Sequence, residues 1–171
     1  MKHIKSRSIL GMLALSLLFI VSCGNDKNAT TNENIPTVDE LESLSKQDTI
    51  RVTLNSNDKM QFDKSEITVF EGQTVILTLH HTGTMTLSAM GHNFVLLTKG
   101  TAISDFTKQA LKAKDNAYIP TDEKNVIAYT GLIGGGESVS VTFKAPEKGI
   151  YDFLCSFPGH YSIMKGKFNV N

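Results

Sequence analysis

From Asp48 onward, apolar and polar residues alternate in short runs separated by turn-forming clusters. Ile50-Arg51-Val52-Thr53-Leu54 alternates with period two, the pattern of a half-buried strand, and Asn55-Ser56-Asn57-Asp58 reads as the turn that ends it. Ile67 to Phe70 is a second strand closed by Glu71-Gly72. Thr74 to His81 alternates with Val75, Leu77 and Leu79 on one face and breaks at Thr82-Gly83. Further strands are predicted at Asn93 to Leu97, Val126 to Tyr129, Ser138 to Lys144, Ile150 to Leu154 and Lys167 to Val170. Between Gly100 and Tyr118 the period changes, because Ile103, Phe106, Ala110 and Leu111 recur at helical spacing; one amphipathic helix is expected there. Gly134-Gly135-Gly136 reads as a flexible turn, and with no Lys-Ser/Thr helix start behind it the run is not a phosphate loop. Roughly eight short strands at turn-bounded intervals predict an all-β Greek-key sandwich with one inserted helix.

The N-terminal region has a different pattern. Lys2, Lys5 and Arg7 precede an apolar run from Ile9 to Val21. At about 13 residues the run is shorter than the ~20 needed to cross a bilayer as a helix, so residues 1–22 read as an export signal. The run ends in Val21-Ser22-Cys23-Gly24, which resembles a bacterial lipobox and makes Cys23 the expected lipidation site, a lipoprotein anchor. Residues 23–47 are rich in Asn, Thr, Ser, Glu, Asp and Lys, too polar to offset ordering entropy. They are expected to form a flexible tether, with a transient helical turn at Val38 to Leu44. Residues 48–171 are left as one folded domain.

Composition adds two constraints. The 171 residues carry 17 basic and 17 acidic side chains, with no basic block, which argues against a nucleic-acid partner. There are two cysteines. If Cys23 carries lipid, Cys155 has no disulfide partner in the chain and calls for another explanation.

The stretch Cys155-Ser156-Phe157-Pro158-Gly159-His160-Tyr161-Ser162-Ile163-Met164 supplies one. It places a thiol, an imidazole and a thioether within ten residues around a stiff Pro-Gly turn. Soft sulfur ligands with imidazole suit copper, and a His₂Cys trigonal set with a weak axial Met is the donor set of a blue-copper electron-transfer centre. The second imidazole is assigned to His92, in Met90-Gly91-His92-Asn93.

The Cys155–Met164 stretch with Lys165-Gly166 resembles the C-terminal copper loop of the azurin family, and Met90-Gly91-His92-Asn93 resembles its other ligand segment. Asn57-Asp58-Lys59-Met60-Gln61-Phe62, Val126-Ile127-Ala128 and Leu132-Ile133-Gly134 are also azurin-like in order and spacing. The resemblance spans about residues 48–171. It implies the cupredoxin sandwich, one type 1 copper ion, His92, Cys155 and His160 as equatorial ligands, Met164 as axial ligand and the Gly91 carbonyl opposite it. It implies too that the backbone N–H groups of Asn93 and Phe157 bond to the Cys155 sulfur, and that Met60, Met90 and Phe157 lie in an apolar partner-docking patch. Azurin's structural disulfide has no counterpart here, and Tyr129 stands where azurin has a histidine. His81 falls on azurin's other non-ligand histidine, with redox-linked titration and an inert buried role both open; His80 has no assigned role.

A non-enzymatic single-electron carrier outside the cytoplasm is therefore expected, held to a bacterial membrane and facing the periplasm or cell surface. Its implied partners are c-type cytochromes, a copper reductase or a peroxidase. A multicopper enzyme would need histidines beside the cysteine, where Leu154 and Ser156 stand; a dinuclear centre would need a second cysteine where Gly159 stands. Copper storage or delivery with the same Cys/His/Met site is the alternative, and zinc is disfavoured because thioether is a poor zinc ligand.

Overall fold

A computed structural model describes residues 37–122 and 124–171. The expected export signal, the expected lipidation site Cys23 and the first part of the expected tether lie outside the described residues. In chain order the elements are α1 (Val38–Ser45), β1 (Thr49–Asn57), β2 (Gln61–Phe62), β3 (Glu66–Val69), β4 (Thr74–His81), α2 (Leu87–Met90), β5 (Val95–Leu97), α3 (Ile103–Ala110), β6 (Val126–Tyr129), β7 (Ser138–Lys144), β8 (Gly149–Leu154) and β9 (Lys165–Val170). Short 3₁₀ turns occupy Lys114–Asn116 and His160–Ser162.

The strands form two sheets in the orders β2-β1-β4-β7 and β3-β9-β8-β5-β6. Each sheet is mixed: β1 runs parallel to β4, and β3 parallel to β9. The two sheets face each other across a core that includes Leu54, Val69, Val75, Leu77, Leu79, Phe94, Leu96, Phe153 and Phe168. β4 shows why the alternation in sequence translates into a sandwich. Every second residue from Val75 is buried, ending at His81, while the intervening ones are half-buried. β5 is buried on both sides. Leu96 enters the main core, whereas Val95 and Leu97 join Leu154 beneath Phe106 and Ala110 of α3 and Ile119.

This is the cupredoxin β-sandwich expected from the sequence, with several local corrections. β1 continues through Asn55-Ser56-Asn57, because Asn55 and Ser56 pair with His80 and His81 and the Asn55 side chain is held by Asp63; the turn begins at Asp58. β2 is too short for its pattern to register in sequence. The predicted single helix stops at Ala110, so Leu111 is 52% exposed instead of buried, and the chain passes into the 3₁₀ turn. The glycine run at 134–136 is pinned: Gly134 N–H donates to Glu137, Gly135 N–H to the Met85 carbonyl and Gly136 N–H to the His81 carbonyl. The end of the expected tether is a two-turn helix, α1, with a Thr37/Glu40 capping box. Leu44 packs against the core, and the buried Gln73 amide donates to the Leu44 and Gln47 carbonyls at 2.8 and 2.6 Å.

Candidate metal centre

The centre lies where β1, β4 and β8 end, which brings together segments far apart in sequence. Cys155 follows β8, and its N–H donates to the Met164 carbonyl at 3.0 Å, closing the loop between them. Within that loop Gly159 has φ 83°, a left-handed turn that glycine adopts without strain and that directs His160 back toward the thiol. The His160 carbonyl accepts from the N–H of Met164 at 2.8 Å. His92 is fixed by a two-bond bridge with Ile133, at 3.0 and 2.9 Å. Gly91 has no room for a side chain, because a Cβ there would fall 2.7 Å from the Leu87 carbonyl and 3.0 Å from the Phe157 ring.

Three donor atoms converge. Cys155 Sγ is 3.9 Å from His92 Nδ1 and 3.6 Å from His160 Nδ1, and the two nitrogens are 3.2 Å apart. A point equidistant from the three lies about 2.1 Å from each, within the 2.0–2.3 Å typical of imidazole and thiolate bonds to a small d-block ion. The Gly91 carbonyl is 4.0 Å from the sulfur. All three donor residues are buried, and Met164 beside them is 0% exposed.

Protonation follows from the surroundings. His92 Nε2 is 3.0 Å from the Asn57 carbonyl, which can only accept, so Nε2 carries the proton and Nδ1 offers a lone pair to the centre. Burial lowers the His92 pKa to about 4, against a smaller opposing effect of the Asn57 bond. Burial, then the nearby His81, also lowers that of His160. Burial pushes the Cys155 thiol up to about 12, while the backbone N–H groups of Asn93 and Phe157 act in the opposite direction by favouring the thiolate. Without metal the pocket is therefore electrically neutral at pH 7. A bound cation would displace the thiol proton.

The sequence profile of the copper binding proteins, plastocyanin/azurin family, matches residues 48–171. The chain belongs to that family. Copper is accordingly its cofactor, and the buried S/N/N triangle fits it. Azurin-1 of Alcaligenes xylosoxydans xylosoxydans is 42% identical over 120 residues, covering 67% of this chain and 92% of that protein. Outer membrane protein H.8 of Neisseria meningitidis serogroup B is 42% identical over 119 residues, 67% of this chain; the match spans 64% of the Neisseria protein. Among solved structures, auracyanin A, a "blue" copper protein from Chloroflexus aurantiacus, superposes with a TM-score of 0.66 at 35% identity, covering 72% of this chain and 99% of that one.

The fold thus gathers His92, Cys155 and His160 and places Met164 and Gly91 beside them, while the N–H groups of Asn93 and Phe157 favour the Cys155 thiolate. Asn93 also ties the two ligand segments together. Its Oδ1 accepts from Ser156 N–H at 2.8 Å, and its Nδ2 donates to Ser156 Oγ at 2.8 Å. Met60, Met90 and Phe157 are half-buried; the more exposed apolar side chains nearby are Met85, Leu87 and Ile163. Sequence reading missed these three because they fall outside any alternating run, in α2, its approach and the copper loop. His81 is fully buried, with its ring edge-on to His92 at 4.5 Å and Nε2 3.1 Å from Asp58, while Nδ1 has no partner. His80 instead faces the Ser138 hydroxyl at 2.8 Å. Tyr129 lies half-buried on β6, beside the α3 cluster.

Proposed function

We propose that this chain carries single electrons between redox proteins outside the cytoplasm, without catalysing a reaction of its own. Copper, cycling between Cu(I) and Cu(II), supplies the redox chemistry. In this reading His92, Cys155 and His160 would hold the ion, with Met164 and the Gly91 carbonyl as further donors. The buried pocket excludes water, and the bonds from Asn57, Ile133 and Ser156 keep the donors in place through both oxidation states, which keeps reorganisation small. The observation that carries the proposal is the preformed triangle of 3.2, 3.6 and 3.9 Å.

Electrons would cross at the surface around His160, where Met60, Met85, Leu87, Met90, Phe157 and Ile163 offer an apolar rim suited to the small interface of a transient redox encounter. Partners of that kind include c-type cytochromes, a copper reductase or a peroxidase. Lipid on Cys23 would hold the carrier at a bacterial membrane, a reading supported by its lipobox-like context and by the likeness to a protein named for the outer membrane.

Titration of the purified protein with Cu(II), followed by ascorbate, tests the proposal. An intense visible thiolate-to-copper band should saturate at one ion per chain, bleach on reduction and be missing in Cys155→Ser. Weak d–d absorption alone would overturn it, and fast loss of copper to an acceptor protein would favour delivery instead. Globomycin-sensitive processing and loss of membrane association in Cys23→Ala test the anchor separately.

A further inference from the structure

The insert between β5 and β6 reaches the metal pocket at a sharp corner. After the 3₁₀ turn at Lys114–Asn116, Ala117 (φ 51°) and Tyr118 (φ 60°) adopt left-handed backbone in succession. Residues with a Cβ seldom take this conformation, and such outliers persist only where their surroundings hold them. Here Tyr118 N–H donates to the Ala113 carbonyl, Ile119 N–H to the Asn116 carbonyl and the Asn116 side chain to the Ile119 carbonyl, at 2.9, 2.9 and 2.8 Å.

The corner makes two contacts toward the site. The Ala117 carbonyl accepts from Asn93 Nδ2 at 3.1 Å. The Tyr118 ring stands edge-on to Phe157, with centroids 5.5 Å apart and planes at 72°. On its other sides the Phe157 ring meets His160 at 4.8 Å and the backbone of Gly91. Asn93 and Phe157 are the two residues whose backbone N–H groups act on the Cys155 sulfur. One strained dipeptide therefore braces both.

We propose that Ala117 and Tyr118 are positioning residues that hold these two amides on the Cys155 sulfur, so that the helical insert sets how strongly the thiolate donates to the metal. An amide donor draws charge from a ligating sulfur, and such bonds tune a metal's potential. If Tyr118 were only a filler of the α3 cluster, its loss would lower stability and leave the sulfur's surroundings as they are. The spectroscopic part of this inference rests on the copper reading; the bracing of the amides does not.

The test compares Tyr118→Ala, Tyr118→Leu and Tyr118→Phe, with Leu included to keep a folded variant if Ala does not fold. In the metal-free protein, hydrogen exchange at the Asn93 and Phe157 amides should accelerate by about tenfold or more in Ala and Leu, and stay within about twofold of the parent in Phe, which keeps the ring. In the copper-loaded protein the thiolate band and the reduction potential should move in Ala and Leu and return in Phe. A lower melting temperature with unchanged exchange at both amides would overturn the proposal. So would an unchanged band and potential in a variant whose amides do exchange faster. An unmodified protein that shows no thiolate band would fail the copper reading while leaving the exchange result to decide the bracing.

Discussion

The two ends of the sandwich are held by polar groups in different ways. β1 links them: at nine residues it runs ~26 Å from Thr49, just after α1, to Asn57, whose carbonyl fixes His92. At the copper end, buried bonds cross between four segments, through Asn57–His92, His92–Ile133, Asn93–Ser156 and Cys155–Met164. At the other end one buried amide, Gln73, takes the Phe70 N–H on its oxygen and gives its N–H groups to Leu44 and Gln47. The first arrangement cannot loosen at one point without leaving buried groups unsatisfied elsewhere. The second can release α1 and leave the sandwich intact. Rigidity is concentrated where donor atoms must keep their spacing, and helix α1 is attached by few contacts.

The largest expected effect that sharpens this contrast is the pH dependence of the metal-free protein, which should come from the copper end. His92 has its pKa lowered to about 4 in the fold, so between pH ~4 and ~6.5 the unfolded chain binds more protons and stability rises with pH. Cys155 is raised to about 12, so above pH ~9 the folded chain holds a proton that the unfolded one gives up, and stability falls. Each limb is worth on the order of 3 kcal/mol. Urea midpoints measured across pH should form a plateau between about 6.5 and 9, and copper should remove the alkaline fall because the thiol is then already deprotonated. A flat profile across the acid and alkaline limbs would contradict it.

Next in size is Asn93→Ala. It strips partners from the buried Ser156 N–H and hydroxyl and from the Ala117 carbonyl, and should lower stability by roughly 2–3 kcal/mol in denaturant unfolding. Gln73→Ala should cost less, roughly 1–2 kcal/mol, because Phe70 N–H alone is left to find a new acceptor and the released α1 carbonyls can turn to water. Its marker is faster protease cleavage around residues 38–47 with an unchanged thiolate band. A weakened band would mean that the two ends are coupled after all.

The same contrast explains what the sequence made legible. Alternation exposed the strands whose inner faces fill the core, as in β4, because burial with period two leaves a clear trace. The copper loop was legible because its thiol, imidazole and thioether sit within ten residues. What did not show were elements fixed by contacts distant in sequence. Asn55-Ser56-Asn57 has the composition of a turn, yet β4 captures Asn55 and Ser56 as strand, and β2 captures Asn57. Leu111 fits the helical period, but the helix ends before it. The polar stretch before Asp48 reads as tether because the signal for its helix is a capping box and a glutamine 26 to 29 residues away. The role of Asn93 as a tie between segments likewise depends on Ser156, 63 positions later.

The smallest expected effect isolates the α1 end. Thr37→Ala removes the hydroxyl that accepts from Glu40 N–H, half of the capping box, and in an isolated helix such a change costs about 1 kcal/mol. Leu44 is the α1 side chain that packs on the core, and none of the helix's residues is fully buried. The lost free energy should therefore appear as fraying of α1 and not as a lower global melting temperature. Hydrogen exchange at the Leu41 N–H, bonded to the Thr37 carbonyl at 2.9 Å, should quicken several-fold, while exchange in β4 and β8 stays at its original rate. If β4 quickened with it, α1 would be part of the same cooperative unit as the sandwich. Helix α1 would then be joined to the copper end through the core, and not merely fastened to its far side.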